Sequence, residues 1–294
     1  MTETLPRAIL VTGASTGIGA ASVRALAQAG FLPIAMVRKQ PDLEALRNNN
    51  PGLAIEGVIA DVVDWASLEA AAATVKQLCA EKSAGGQLWG LVNNAGIAVP
   101  GTIMHQPMEL YERTLNVNVL GVVRCIKLFG PLLGAVEDFA GEPGRIVNMS
   151  SVAGQVAWPF TNAYVASKHA VEGLTDSARR ELTVYGVDAV AIGPGTIATP
   201  IWEKSQGYDL GDVSGTYYER LLSGLEDHLK QANEKGLPVE RVADLVVEAF
   251  AAKNPKPRRA PVPDPVSGWL LFRVLPRRWA DALMANAMGL KRPK

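Results

Sequence analysis

Ala8-Ile9-Leu10-Val11-Thr12-Gly13-Ala14-Ser15-Thr16-Gly17-Ile18-Gly19 runs directly into Ala20-Ala21-Ser22-Val23-Arg24-Ala25-Leu26-Ala27. The opening run Ala8 to Val11 is short and continuously apolar, the pattern of a strand buried on both faces. The segment after Gly19 is rich in good helix formers. A strand, a glycine turn and a helix in that order form the context that a phosphate-binding loop requires. Glycines allow a tight turn and a close backbone approach to a pyrophosphate, and the helix N-terminus offers free N–H groups and positive partial charge. The spacing is Gly-x-x-x-Gly-x-Gly rather than Gly-x-Gly-x-x-Gly. A glycine turn by itself also serves many ordinary strand-to-helix connections.

The alternation continues downstream. Strands are predicted near 8–12, 32–37, 54–60, 88–93, 144–149 and 187–193, and helices near 18–29, 42–48, 67–82, 108–134, 161–185 and 239–252. This pattern predicts an α/β fold, a single doubly wound parallel sheet of Rossmann-like type with helices on both faces. Ligands in such folds bind beyond the carboxyl ends of the strands. The glycine turn, Asn93 to Gly96, Ser151 and Pro194 all follow strand ends and so fall on that rim.

Two further features carry chemistry. Tyr164 and Lys168 stand at i and i+4, with Ser151 thirteen positions upstream of the tyrosine. On a helix that spacing puts the lysine ammonium beside the phenol. A fixed cation there is expected to lower the phenol pKa towards working pH, and the Ser151 hydroxyl to hold a reacting oxygen beside it. Taken alone, the pair more commonly describes an exposed helical tyrosine with a solvated lysine. The second feature is Arg38-Lys39, at the end of the second strand, about twenty residues past the glycine turn. No acidic residue lies between Phe31 and Pro41. An acid there would take a ribose 2′-hydroxyl, whereas arginine accommodates a 2′-phosphate. The expectation is NADP(H), with NAD(H) as the alternative and a solvated basic turn as the plain reading.

From Arg7 to Pro200 the chain resembles a short-chain dehydrogenase/reductase of the ordinary single-domain type, similar to hydroxysteroid and retinol dehydrogenase-like members. The family's motifs occur in its order: Thr12 to Gly19 as the cofactor turn, Ala60-Asp61-Val62 at the adenine, Asn93-Asn94-Ala95-Gly96, Asn118, Ser151, Tyr164 with Lys168, and Pro194-Gly195 followed by Thr196, Ile197 and Thr199. Leu115 departs from the acid common before the helix asparagine. The resemblance implies Ser151, Tyr164, Lys168 and Asn118 as catalytic residues. It implies cofactor contacts from Gly13, Ser15, Thr16, Gly17, Ile18, Gly19, Arg38, Lys39, Asp61, Val62, Asn93, Ala95, Gly96, Tyr164, Lys168, Pro194, Gly195, Ile197 and Thr199. The implied reaction is hydride transfer between a nicotinamide and a secondary alcohol or ketone. Lys168 would hold the nicotinamide ribose, and Asn118 the helix and a water leading from Lys168 to solvent. A non-catalytic NADP(H)-sensing protein is the rival from another class, and a damaged Ser–Tyr–Lys set would be its simplest mark.

The remaining sequence bounds this reading. With 294 residues and 48% hydrophobic content there is enough chain for one large core, and a formal net charge of +0 gives no reason to expect a nucleic-acid partner. The N-terminus lacks a signal-peptide pattern, and Cys79 and Cys125 have no metal or redox spacing. Reduced thiols, a cytoplasmic protein and a homodimer or homotetramer are the expectations. His105, His169 and His228 are scattered, and no metal site is expected. Residues 201–238 interrupt the alternation and are expected to cover a substrate. With Val99, Trp158, Phe160 and Trp202 they suggest an apolar pocket for a small hydrophobic alcohol or ketone. The expected division is a dinucleotide-binding and catalytic domain over 1–265, containing that insertion, and an amphipathic extension over 266–294. Prolines 255, 257, 261, 263 and 265 argue against a central strand before the extension. The apolar run Trp269-Leu270-Leu271-Phe272-Arg273-Val274-Leu275 is too short to span a bilayer. Packing of the segment 269–290 against its own subunit or a partner is favoured over a membrane surface.

Overall fold

A computed structural model describes residues 5–199, 201, 211–223, 235–264 and 266–290, without the side chains of Ser267 and Gly268. Trp202, Tyr208 and His228 lie outside the described residues. Seven strands form one sheet: β1 Ala8–Thr12, β2 Leu32–Val37, β3 Glu56–Ile59, β4 Leu88–Asn93, β5 Arg145–Met149, β6 Asp188–Ile192 and β7 Arg258–Arg259. Their order is β3-β2-β1-β4-β5-β6-β7, and every neighbouring pair is parallel. The chain order reverses between β1 and β4, which creates the crevice where ligands of such sheets bind.

Strand alternation divides the core. Ala8 and Leu10 of β1 face one layer, with Leu68 and Val75 of α3 (Trp65–Lys82) and Cys125 and Phe129 of α5 (Gly121–Phe129). Ile9 and Val11 face the other, with Val23 and Leu26 of α1 (Gly17–Gln28) and Val242 and Val246 of the helix Glu240–Ala251. Every residue of β1 is buried, as expected for a strand covered on both sides.

Two departures from the sequence reading have physical causes. The expected helix over 108–134 is broken into α4 (Met108–Leu115), a π-turn at Asn116–Leu120 and α5, before a short 3₁₀ turn at Pro131–Leu133. A π-turn admits an extra residue into the helix, and such turns gather at functional sites; here it carries Asn118 inward. The seventh strand sits in the proline-rich stretch. It survives there because it is a short edge strand whose flanking prolines enter the pairing only through their carbonyls. Ala191, Gly193 and Gly195 donate their N–H groups to the carbonyls of Pro257, Arg259 and Pro261, and a proline carbonyl accepts as well as any other.

Candidate active site

The glycine turn meets the turn after β4 almost without a gap. Gly13 has φ 63°, and an added Cβ would stand 2.8 Å from Ala95 Cα, so a side chain there is excluded both by conformation and by contact. Thr12 and Asn94 lock the two turns together. The Thr12 hydroxyl accepts from the N–H groups of Asn94 and Ala95, each at 3.0 Å, and the Asn94 amide donates to the carbonyls of Thr12 (2.9 Å) and Gly13 (3.1 Å).

Beyond these turns opens a cleft of about 840 Å³. Among the expected cofactor residues it is lined by Gly13, Ser15, Thr16, Gly17, Ile18, Arg38, Asp61, Val62, Ala95, Gly96 and Thr199. The first turn of α1 contains no acidic residue, so its N–H groups and dipole are left available to an anion. The donor-rich turn at one end and the Arg38 guanidinium at the rim fit a dinucleotide. The wall contributed by Glu109, Glu112, Arg113 and Asn116 was not anticipated. Its signal was present, because those positions follow the i, i+3, i+4, i+7 spacing of one helical face.

Some expected contacts are not made by side chains facing the cleft. Asn93 is turned into the sheet, where its amide donates to Asn148 Oδ1 at 2.8 Å, and Asn148 donates to Thr175 at 2.9 Å. Ile197 is buried in the core and bridges to Leu237. Lys39 is exposed at the N-cap position of the helix Gln40–Asn48, with no side-chain capping bond, and Gly19 lies within α1. Gly195 packs against Val262, and the Pro194 carbonyl accepts from Ser151 Oγ at 3.3 Å and from the Val152 N–H at 2.8 Å. These last residues shape the wall behind Ser151.

Ser151, Tyr164, Lys168 and Asn118 do come together. Ser151 follows β5 and is buried; its hydroxyl is hydrogen-bonded to the Tyr164 side chain and accepts from the Ala153 N–H at 3.1 Å. Tyr164 and Lys168 occupy the first turns of α6 (Asn162–Glu181), with Lys168 Nζ 5.6 Å from the Tyr164 ring centroid. Lys168 is buried and donates to the Met149 carbonyl at 2.9 Å. An added Cβ on Gly96 would lie 3.3 Å from Asn118 Oδ1 and 3.6 Å from Lys168 Nζ, so the cluster abuts the cleft. The Asn118 amide donates to the Ile97 carbonyl and to Ser167 Oγ, each at 2.9 Å, and its oxygen accepts from the Ile97 N–H at 2.8 Å. Asn118 thereby ties the π-turn to both the post-β4 turn and α6.

The electrostatics correct one expectation. Burial pushes the Tyr164 phenol above its ordinary pKa, opposed by the Ser151 hydrogen bond, and lowering by Lys168 is not what sets it here. Burial also brings the Lys168 ammonium down to about 8, opposed by the Glu172 carboxylate. A phenol in this environment stays protonated at neutral pH.

Val99, Trp158 and Phe160, expected to form an apolar pocket, do not line the cleft; Val99 and Phe160 are buried, and the Phe160 ring meets Tyr218 edge-on at 6.0 Å. Trp158 is half-buried and meets Phe272 edge-on at 5.3 Å. The extension also reaches this wall through Trp269, whose indole N–H donates to Gln155 Oε1 at 3.2 Å. Gly289 lies beside Leu221 of the insertion, where an added Cβ would be 3.7 Å from Cδ2. Among the described residues no helix is long and apolar enough to cross a membrane, and no cluster of His, Cys, Asp and Glu suits a metal ion.

Comparison with known proteins agrees with this architecture. The family model for short chain dehydrogenase matches residues 7–208. A protein of Ornithobacterium rhinotracheale named NADPH-dependent 3-dehydrocapnine reductase is 34% identical over 277 residues, covering 94% of this chain and 95% of that protein. Human retinol dehydrogenase 16 is 30% identical over 295 residues, covering 94% of this chain and 87% of the relative. A short-chain dehydrogenase/reductase of Burkholderia phymatum, solved in complex with NAD, superposes with a TM-score of 0.73 at 25% identity, covering 100% of this chain and 98% of the other. The chain thus belongs to the short-chain dehydrogenase/reductase family, oxidoreductases acting on alcohols or ketones with NAD(P).

Proposed function

We propose that the protein is an NADP(H)-dependent oxidoreductase for a hydrophobic secondary alcohol or ketone of steroid-, retinoid- or lipid-like character. The observation that carries the proposal is the buried Ser151–Tyr164–Lys168 cluster abutting Gly96 at the edge of the cleft. When bound, the cofactor supplies or takes up the hydride at its nicotinamide ring. The turn Gly13 to Gly19 holds the pyrophosphate, Asp61 and Val62 the adenine end, and Ala95, Gly96 and the Pro194–Thr199 segment the nicotinamide end. Ser151 fixes the reacting oxygen next to Tyr164. Tyr164 gives its proton to that oxygen in reduction and takes it back in oxidation. Lys168 keeps a positive charge beside the phenol and holds the nicotinamide ribose, and Asn118 fixes the helix turn that carries it.

The preference for NADP(H) rests on Arg38 at the cleft rim, with no acidic residue between Phe31 and Pro41, and on the relative named as NADPH-dependent. NAD(H) is the competing reading, favoured by the Burkholderia neighbour solved with NAD. The hydrophobic substrate rests on the aromatic contacts of Trp158 with Phe272 and of Phe160 with Tyr218, and on relatives named for 3-dehydrocapnine and retinol. We read residues 1–265 as the catalytic domain and 266–294 as an extension capping its substrate end. Cys79 and Cys125 are buried free thiols pushed up to about 12 by burial, which suits a cytoplasmic protein. Exposed Ile103, Met104 and Met108 suit a homodimer or homotetramer, measurable by light scattering. Screening aryl-alkyl and long-chain ketones and their alcohols with both cofactors tests the function, read at the reduced-nicotinamide absorbance. Turnover with NADPH is expected, and activity confined to NADH or to charged acids overturns the reading.

A further inference from the structure

Arg258 belongs to the proline-flanked edge strand that none of the family's motifs touches, yet it reaches the centre of the site. Its Nε lies 3.0 Å from both carboxylate oxygens of Glu172, and its Nη2 donates to the main-chain carbonyl of Ser151 at 3.3 Å. Both side chains of the pair are largely buried, 19% and 18% exposed, so this is not one of the solvated ion pairs that contribute little. The Trp269 ring covers the outer side of the guanidinium, with Cζ 5.5 Å from the ring centroid. Glu172 in turn stands one helical turn beyond Lys168. The loop after Ser151 is pressed onto this same turn: a Cβ on Gly154 would lie 2.8 Å from the Lys168 carbonyl and 2.9 Å from Glu172 Cγ.

We propose that Arg258 and Glu172 are positioning residues for the proton relay, one fixing the Ser151 backbone and the other facing Lys168 with a negative charge. The proposal rests on the reading of Ser151, Tyr164 and Lys168 given above. A buried arginine holding a strand-end carbonyl and a carboxylate at once has little freedom, because its planar donors fix both partners. Through Arg258 the position of Ser151 depends on β7 and on the extension that carries Trp269. Through Glu172 the charge state of Lys168 depends on a carboxylate that Arg258 partly neutralises, as burial opposes the ammonium and Glu172 supports it.

The groups facing Lys168 define what a titration reads. On its own helix these are Tyr164 and Glu172. From β7 comes Arg258, paired to Glu172. The post-β4 turn and the π-turn bring Gly96 and Asn118, both uncharged, and the end of β5 brings the Met149 carbonyl. Glu172→Gln therefore makes the Lys168 ammonium easier to deprotonate, while Arg258→Met makes it harder.

NADPH fluorescence titrations of the full chain across the neutral-to-alkaline range read this directly. Lys168→Met serves as the control. In the wild type, affinity is expected to fall as pH rises through the Lys168 pKa of about 8. Glu172→Gln is expected to move that midpoint down by roughly half to one pH unit, and Arg258→Met to move it up. Arg258→Lys, which keeps the charge, returns it close to the wild-type position. Thermal unfolding is followed alongside, since a merely structural pair lowers Tm and leaves the midpoint in place. If Arg258→Met does not fold, the near-isosteric Glu172→Gln decides. A Glu172→Gln midpoint at the wild-type pH overturns the proposal. A profile that Lys168→Met fails to flatten overturns instead the relay reading on which it rests.

Discussion

On the β1–β4 side, the cleft wall is tied by hydrogen bonds between adjacent strand ends. Thr12 and Asn94 alone account for four bonds linking two turns, all through main-chain groups on at least one side. On the β6–β7 side, the wall is assembled from segments far apart in the chain. Trp158 meets Phe272, Phe160 meets Tyr218, and Arg258 joins Ser151 to Glu172 and Trp269. The first construction suits a group that is bound in the same way each time, since every bond is anchored on main chain, which no rotamer change repositions. The second can be resized by exchanging side chains without disturbing the sheet, as expected where substrates differ between relatives. The cluster of Ser151, Tyr164, Lys168 and Asn118 lies on the boundary, with Asn118 and Lys168 against Gly96 on one side and Ser151 against Pro194 and Arg258 on the other.

The largest expected effect falls on that boundary. Tyr164→Phe keeps the ring and removes the proton donor, and is expected to reduce turnover by roughly 10²–10⁴ with NADPH affinity little changed. Steady-state rates with fluorescence titration check both halves of the statement. Near-normal turnover would remove Tyr164 from its role. A parallel loss of cofactor binding would mean that the phenol belongs to the nucleotide side.

Next comes the rim of the cofactor half. Arg38→Asp replaces a phosphate partner with a repelling charge, and is expected to lower kcat/KM with NADPH by roughly 10–100-fold while sparing or improving NADH. Measuring the ratio of the two cofactors for wild type and variant is the test. An unchanged ratio would move the source of preference away from β2.

Legibility in the sequence follows the same division. The glycine turn, Asp61, the Asn93–Gly96 stretch and the Tyr–Lys spacing are local patterns, and the parallel sheet that unites them follows from strand–helix alternation. The sequence marks Asn94 only as part of a motif, whereas its amide ties the two turns through the carbonyls of Thr12 and Gly13. That the Asn93 side chain ties β4 to Asn148 is not visible in its motif, because Asn148 is 55 residues away in the chain. Arg258 was hidden because prolines on either side argue against a strand, and only pairing with β6 makes them compatible with one. The Tyr164 environment was misjudged for a related reason. Helical spacing reveals the nearby cation, but burial, which dominates the phenol here, depends on contacts from distant segments.

A pH series probes the boundary more gently. The Tyr164 pKa is raised, so reduction, which needs the phenol protonated, should persist at low and neutral pH and fall as pH rises through the Tyr164 pKa. Oxidation needs the phenolate and should rise over the same interval. Lys168 loses its charge near about 8, within that alkaline range. Rates in both directions across this range are the measurement. An oxidation rate that declines steadily on going alkaline would place another group in the proton-transfer role.

The smallest effect is expected from removing residues 266–294. The extension meets the remainder of the protein through Trp269 at Gln155 and Arg258, Phe272 at Trp158, and Gly289 beside Leu221. None of these contacts reaches the glycine turn, Arg38 or Asp61, so the truncated protein should stay folded and bind NADPH as before. It should lose the aromatic cover over Trp158 and the shield over Arg258. For large hydrophobic ketones KM is then expected to rise by roughly three- to tenfold, with a smaller change for compact ones. The outer face of the extension exposes Val274, Trp279 and Leu283 beside Arg273, Arg277 and Arg278, so flotation with liposomes belongs in the same experiment. Binding by the full chain and not the truncated one, with KM unchanged, would assign the extension to a membrane surface. A KM increase without liposome binding would assign it to the substrate wall, and would show that the aromatic end of the sheet can be altered without disturbing the hydrogen-bonded end.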